Sequence, residues 1–168
     1  MKFTTMAICK ECGNATYDYL LLCRNCFRNL IQTINTLRPS DVHDLTDIFP
    51  SYIIETMDDF LQKDLNEALN CIAFELWTAT VLMCSRILES SLKIHLNHDL
   101  KCEKDFSSIG ECITALDAYY PPEFTDHLNK LRELRNDAMH GEKRFSSESA
   151  IVIWHRVFIV IAWIYNNI

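Results

Sequence analysis

Apolar residues along the chain recur mainly at steps of three and four, the spacing of one face of an α-helix. Phe27, Leu30, Ile31, Ile34 and Leu37 form a first stripe, which predicts a helix whose opening turn holds Cys23 and Cys26. No helical period is sustained from Arg38 to Pro50, where Pro39 and several Asp read as a connection, and Pro50 can open a short helix through about Leu61. From Leu65, the residues Leu69, Ile72, Ala73, Leu76, Thr80, Met83, Cys84, Ile87 and Leu88 lie on one stripe, predicting a single long helix to near His95. This would be the spine of the fold.

Stop and start signals divide the remainder. Ser108, followed three residues later by Glu111, forms a capping box ahead of Ile113, Leu116 and Ala118, and Pro121 and Pro122 close that segment. A fourth helix is expected from about Glu123 through Leu128, Leu131 and Leu134 to Met139, with Gly141 as its C-terminal stop. A fifth begins near Ser146 or Ser147, carries Glu148 in its first turn and continues to Tyr165. The expected organisation is all-α: a small module over residues 1–38, a connecting segment with a short helix over 39–62, and a helical bundle over 63–168.

Composition supports helices. Three Gly and four Pro in 168 residues are too few for the tight turns of a sandwich or barrel, and 49% hydrophobic with 23% charged residues excludes wholesale disorder. The net charge of −7 argues against binding nucleic acid by a blanket positive field. It is unevenly spread, because Lys2, Lys10, Arg24, Arg28 and Arg38 against Glu11 and Asp18 make residues 1–38 +3 and leave the rest −10. Without a charged and apolar leader pattern at the start, eight Cys point to a cytoplasmic chain that uses them as thiols or metal ligands. Ala150–Tyr165 is the most apolar stretch, but His155 and Arg156 interrupt it and it falls short of a ~20-residue span. It is expected to be a buried helix, with no membrane contact.

Cys9, Cys12, Cys23 and Cys26 stand as C-K-E-C-G and C-R-N-C-F, two thiol pairs with ten residues between them. Two residues between thiols allow both to bind one Zn²⁺, and Gly13 gives the first pair the backbone freedom of a knuckle turn. The second pair sits where the first helix begins, and its dipole favours thiolates. The arrangement resembles treble-clef-like zinc fingers. One structural zinc per chain is expected, since four protein ligands leave no open position for catalysis. Cys71, Cys84, Cys102 and Cys112 lack such spacing and read as core or surface thiols. His43, His95, His98, His127 and His155 likewise read as packing or surface residues.

The fourth helix carries Arg135-Asn136-Asp137-Ala138-Met139-His140-Gly141, an R-N-x-x-x-H pattern. At about 100° per residue, Asn136 and His140 share a face, whereas Arg135 lies ~140° from His140. Both can reach one point if Gly141 lets the last turn unwind, or if a two-fold dimer sets two copies of the helix along one cleft. The same residues also suit a solvated face, with Arg135 pairing Asp137 or Glu133 and His140 interacting favourably with the helix dipole.

With Glu67-Ala68 opening the spine, Arg86 and Glu89 on it, the R-N-x-x-x-H helix and a final apolar helix, residues 63–166 resemble a HEPN domain. The likeness is to the subgroup that often carries an N-terminal zinc finger and occurs near restriction and defence genes. The resemblance implies a homodimer and metal-independent cleavage of RNA, tRNA among the candidate substrates, by attack of a 2′-hydroxyl on the adjacent phosphate. His140 would be the general acid/base or would position the hydroxyl, Arg135 would hold the phosphate, and Asn136 would orient either. Glu89 and Lys93, four residues apart, resemble an acidic and basic pair of some HEPN toxins. An antitoxin or defence-system partner is implied with them. Glu142 stands where one toxin subgroup has a modifiable Tyr, so that form of regulation is not expected. A binding module of the same fold without catalysis, and a zinc-finger adaptor whose helical body binds protein, are the alternative readings.

Overall fold

A computed structural model describes residues 6–17, 22–102, 104–120, 122–141 and 144–166. Near the start, β1 (Met6–Ile8) pairs antiparallel with β2 (Ala15–Tyr17), with Met6 opposite Tyr17 and Ile8 opposite Ala15. This hairpin, which the apolar pattern did not predict, holds the only strands among the described residues. Its loop closes because Gly13, at φ +73°, donates from its N–H to Cys9 O at 3.0 Å, while Cys9 N–H bonds Asn14 O at 2.8 Å. The chain then enters α1 (Arg24–Thr36), with Cys23 as the residue before its first turn.

Everything after α1 is helical or irregular among the described residues. The connecting segment is packed: two single 3₁₀ turns, Pro39–Asp41 and Leu45–Asp47, the second capped by Asp44, place Leu45 and the residues that follow each turn, Val42, Ile48 and Phe49, in the core. The short helix expected through Leu61 is divided in two. α2 (Ser51–Ile54) lasts one turn, and α3 (Asp59–Ala73) starts afresh because the Asp58 carboxylate accepts the Leu61 N–H at 2.8 Å.

The single spine expected from Leu65 to His95 is also two helices, α3 and α4 (Trp77–Ile94), joined by a turn in which Glu75 takes φ +56°. They fold back as a hairpin, so Asp64, ten per cent exposed, meets Arg86 at 2.9 Å. Neither Gly nor Pro marks this break. The apolar phase continues through it by coincidence, and burial of the two stripes against each other outweighs the cost of a non-glycine residue in the left-handed region. α4 then widens into a π-helical turn, His95–Asp99, where the Leu100 N–H reaches back five residues to His95 O at 3.1 Å.

α5 (Ile109–Leu116) starts at Ser108 as its capping residues predict, with Ser108 Oγ accepting the Glu111 N–H. α6 (Pro122–Met139) starts one residue earlier than expected, and Pro121 lies outside the described residues. α7 (Ser147–Asn166) is largely buried, with Trp154, Phe158, Ile161, Ile164 and Tyr165 in the core. At 20 residues it is the one described helix long and apolar enough to cross a membrane, and half of its most apolar window is buried within this fold. α4 packs against α3, α5, α6 and α7, while α1 packs on α7.

Two polar ties fix the N-terminal module to α7. Asn166 Oδ1 accepts the buried Leu22 N–H at 2.7 Å, and His155 Nε2 donates to Leu37 O at 2.9 Å. Phe49 of the connecting segment stacks on Phe158 with ring centroids 5.6 Å apart. One continuous core therefore runs from Cys9 to Tyr165. Asn166→Ala, which deletes the shorter tie from a buried site, should lower stability by about 1–3 kcal/mol. Chemical denaturation compared with wild type checks it, and an unchanged midpoint would show that the tie contributes nothing.

Candidate functional site

Two groups of side chains stand out. The first is at the N-terminal module, where the sulfur atoms of Cys9, Cys12, Cys23 and Cys26 all lie within 4.8 Å of one another. The hairpin loop supplies two and the start of α1 the other two. Cys12 and Cys23 sulfurs are 3.7 Å apart, matching the ~3.8 Å edge of a tetrahedron of thiolates at about 2.3 Å from one metal ion. The eight cysteines of the chain are free thiols. Burial disfavours the Cys9 thiolate, but N–H groups of Cys23, Cys12 and Glu11 outweigh it and bring the thiol down to about 6. Cys23 is lowered as well, chiefly by the backbone of Cys26, while sharing a proton with Cys12 raises Cys26.

Four clustered sulfurs with N–H groups stabilising negative charge are compatible with one soft metal ion. The other cysteines are dispersed: Cys84 and Cys112 are buried in the core, and Cys102 contacts Tyr119.

The second group lies between α4 and α6. A cleft of 330 Å³ is lined by Ser85, Arg86, Glu89, Ser90 and Lys93 of α4 and by Arg135 and Met139 of α6. Positions 82, 85, 86, 89, 90 and 93 form one face of α4, so the helical period turns them together toward α6. Lys93 and Glu89 pair at 2.9 Å, and that hydrogen bond holds Lys93 above its ordinary value. Arg86 is tied from outside by Asp64. Arg135 has no carboxylate within ion-pair distance among the described residues, and its guanidinium bonds only the neutral Asn136 Oδ1 at 3.2 Å. Three cations and one carboxylate thus share a cleft within a strongly acidic body. Anions are the ligands such a cleft attracts.

No family model, curated protein or solved structure matches this chain. The site rests on its own geometry.

The fold brings Arg135 to Glu89 and Lys93, which stand more than forty residues earlier in sequence. His140 and Asn136 are exposed and lie outside the cleft lining. The last turn of α6 does not unwind: His140 N–H still bonds Asn136 O at 3.0 Å, and Gly141 takes φ +67° only after it. Within one chain, Arg135 and His140 therefore remain divergent. Glu142 lies outside the described residues. Neither Asp137 nor Glu133 pairs with Arg135.

Arg86, one of the residues that carry the resemblance but given no site role by it, is the third cation of the cleft. Its place at i−3 from Glu89 on a polar stripe was the available signal. His95, read as a packing or surface residue, is buried in the π turn between Asp99, 2.5 Å from Nδ1, and the Tyr120 hydroxyl, 2.7 Å from Nε2. Burial, then Asp99, pushes Tyr120 up to about 12. Trp163 and Phe124 complete this aromatic cluster, which joins the end of α4 to α6 and α7.

If the four thiols hold a metal ion in the purified protein, a strong chelator should increase the number of thiols open to a disulfide reagent. A variant lacking the first pair, Cys9→Ser with Cys12→Ser, should show no such increase. Equal thiol counts before and after chelation of wild type would exclude a resident metal.

Proposed function

We propose that the helical body is a metal-independent endoribonuclease of HEPN type, acting as a homodimer. The observation that supports it is the α4–α6 cleft, in which Arg135, without an ion-pair partner among the described residues, stands beside the Glu89–Lys93 pair. These are three of the five residues that the resemblance singled out. A planar guanidinium matches two oxygens of a phosphodiester, and a second cation at Lys93 adds to charge stabilisation.

In the proposed reaction the RNA 2′-hydroxyl gives up its proton and its oxygen attacks the neighbouring phosphorus. The P–O5′ bond breaks and the leaving oxygen takes up a proton. A 2′,3′-cyclic phosphate and a 5′-hydroxyl end result, with no net oxidation or reduction. Arg135 stabilises the added charge on the phosphorane, and His140 moves or positions the proton. Because His140 diverges from Arg135 on α6, a second protomer in a two-fold arrangement supplies the histidine to the partner's cleft. The N-terminal module is read as a zinc finger with one structural Zn²⁺ on Cys9, Cys12, Cys23 and Cys26, whose role is to hold hairpin and α1 together. A setting in phage defence, with a toxin's partners, follows from the resemblance alone.

The exposure of His140 outside the cleft favours a second reading, a non-catalytic module that holds nucleic acid through the same Arg135 cleft. Full-length protein incubated with RNA in EDTA separates the two. Cleavage should persist in EDTA, products should carry the cyclic phosphate, and Arg135→Ala and His140→Ala should each lower turnover by about 10²-fold or more. Wild type and His140→Ala cutting equally would remove the catalytic reading and leave the binding one. Zinc analysis should return one ion per chain, and light scattering should show a dimer at micromolar concentration.

A further inference from the structure

On its other flank α6 borders a second groove, of 640 Å³, formed with α5 and the segment before it. Lys104, Ser108, Gly110, Glu111, Thr114 and Arg132 line it. Arg132 Nε is fully buried and donates to no acceptor among the described residues, while its side chain as a whole is only partly buried and lines the groove. Nor does any carboxylate come within ion-pair distance of Arg132 among the described residues. A buried guanidinium donor without a partner is costly unless a ligand completes it.

The groove is shaped around this side chain. A Cβ on Gly110 would lie 2.9 Å from one terminal nitrogen of Arg132, so a larger residue there would crowd the guanidinium where it crosses the first turn of α5. Glu111, the carboxylate in the groove, is occupied elsewhere. It accepts the Ser107 N–H at 3.1 Å and the Ser107 hydroxyl at 3.0 Å, with Lys104 4.0 Å away. Those Ser107 bonds hold it below its ordinary carboxylate range, so it stays ionised against its own partners. Lys104 is mostly exposed and reaches over the Phe106 ring, placing a second cation at the rim.

Arg132 lies one helical turn before Arg135 on α6. Residues three apart stand about 5–6 Å from each other at Cβ, and here one side chain lines the cleft with α4 and the other the groove with α5. A strand that sets one phosphate at Arg135 and crosses α6 meets Arg132 next. We propose that Arg132, with Lys104 at the rim, is a second phosphate subsite, binding a backbone phosphate that flanks the one at Arg135. This rests on the nucleic-acid reading of the α4–α6 cleft. Arg132 here is a binding residue, not a catalytic one.

The test uses full-length protein and a single-stranded RNA long enough to cross both sites, 2′-O-methylated throughout so that it binds but cannot be cut. Arg132→Gln should weaken binding about tenfold, the value of one charge-assisted hydrogen bond. The slope of log affinity against log salt should become shallower by roughly 0.7, one phosphate contact on a single strand. Lys104→Gln, at an exposed side chain, should weaken binding by about threefold. It carries the test if Arg132→Gln proves unstable in a thermal melt. On cleavable RNA, Arg132→Gln should raise KM and leave turnover at saturation unchanged.

Wild-type affinity and salt slope in both variants would overturn the subsite. Weaker binding in the variants, with no cleavage by wild type, would keep the subsite and remove the ribonuclease reading. Cleavage by wild type, with both variants binding normally, would do the reverse.

Discussion

Helix α4 has to satisfy four neighbours at once. Its apolar residues Val81, Cys84, Ile87, Leu88 and Leu92 are buried toward the core, where α3 and α7 pack, while Ser85, Arg86, Glu89, Ser90 and Lys93 line the cleft it shares with α6. An α-helix at 3.6 residues per turn can carry both stripes only if their phases stay apart over its full length, as they do for 18 residues. Once α4 is fixed between α3 and α7, the position of α6 determines whether Arg135 meets the Glu89–Lys93 pair. The cleft is therefore a consequence of packing, held by burial of side chains that take no part in it.

The N-terminal module depends on the same core from the other side. Its hairpin is three residues a strand, far below what holds together unaided. Four clustered thiols supply one means of fixing it, and α7 supplies another through Asn166, His155 and the stacked Phe49–Phe158 pair. Shared burial makes the module and the helical body one mechanical unit, so changes at either can be felt by both.

Charge is distributed with a similar economy. A body carrying −10 repels polyanions at long range, and the cations of the α4–α6 cleft and the α5–α6 groove act only at contact. Such an arrangement favours a ligand that is held by geometry over one gathered by a diffuse field.

Much of this was legible in the residues alone. The two thiol pairs announce their own proximity, because two intervening residues fix each pair and Gly13 permits the turn. Capping by Ser108 and termination at Gly141 mark helix ends by local hydrogen bonding and backbone freedom, which tertiary contacts seldom override. Arg135, Glu89 and Lys93 were identifiable as residue types at helical positions. The break at Phe74–Leu76 was not, since no Gly or Pro marks it and the apolar phase runs through. There the gain from folding α3 onto α4 is larger than the local preference for continuing the helix, a comparison that periodicity does not contain. Which flank of α6 each arginine reaches was likewise decided by tertiary packing. Rotation of a helix about its axis is set by the neighbours it buries against, and only α4 and α5 in place send Arg135 one way and Arg132 the other.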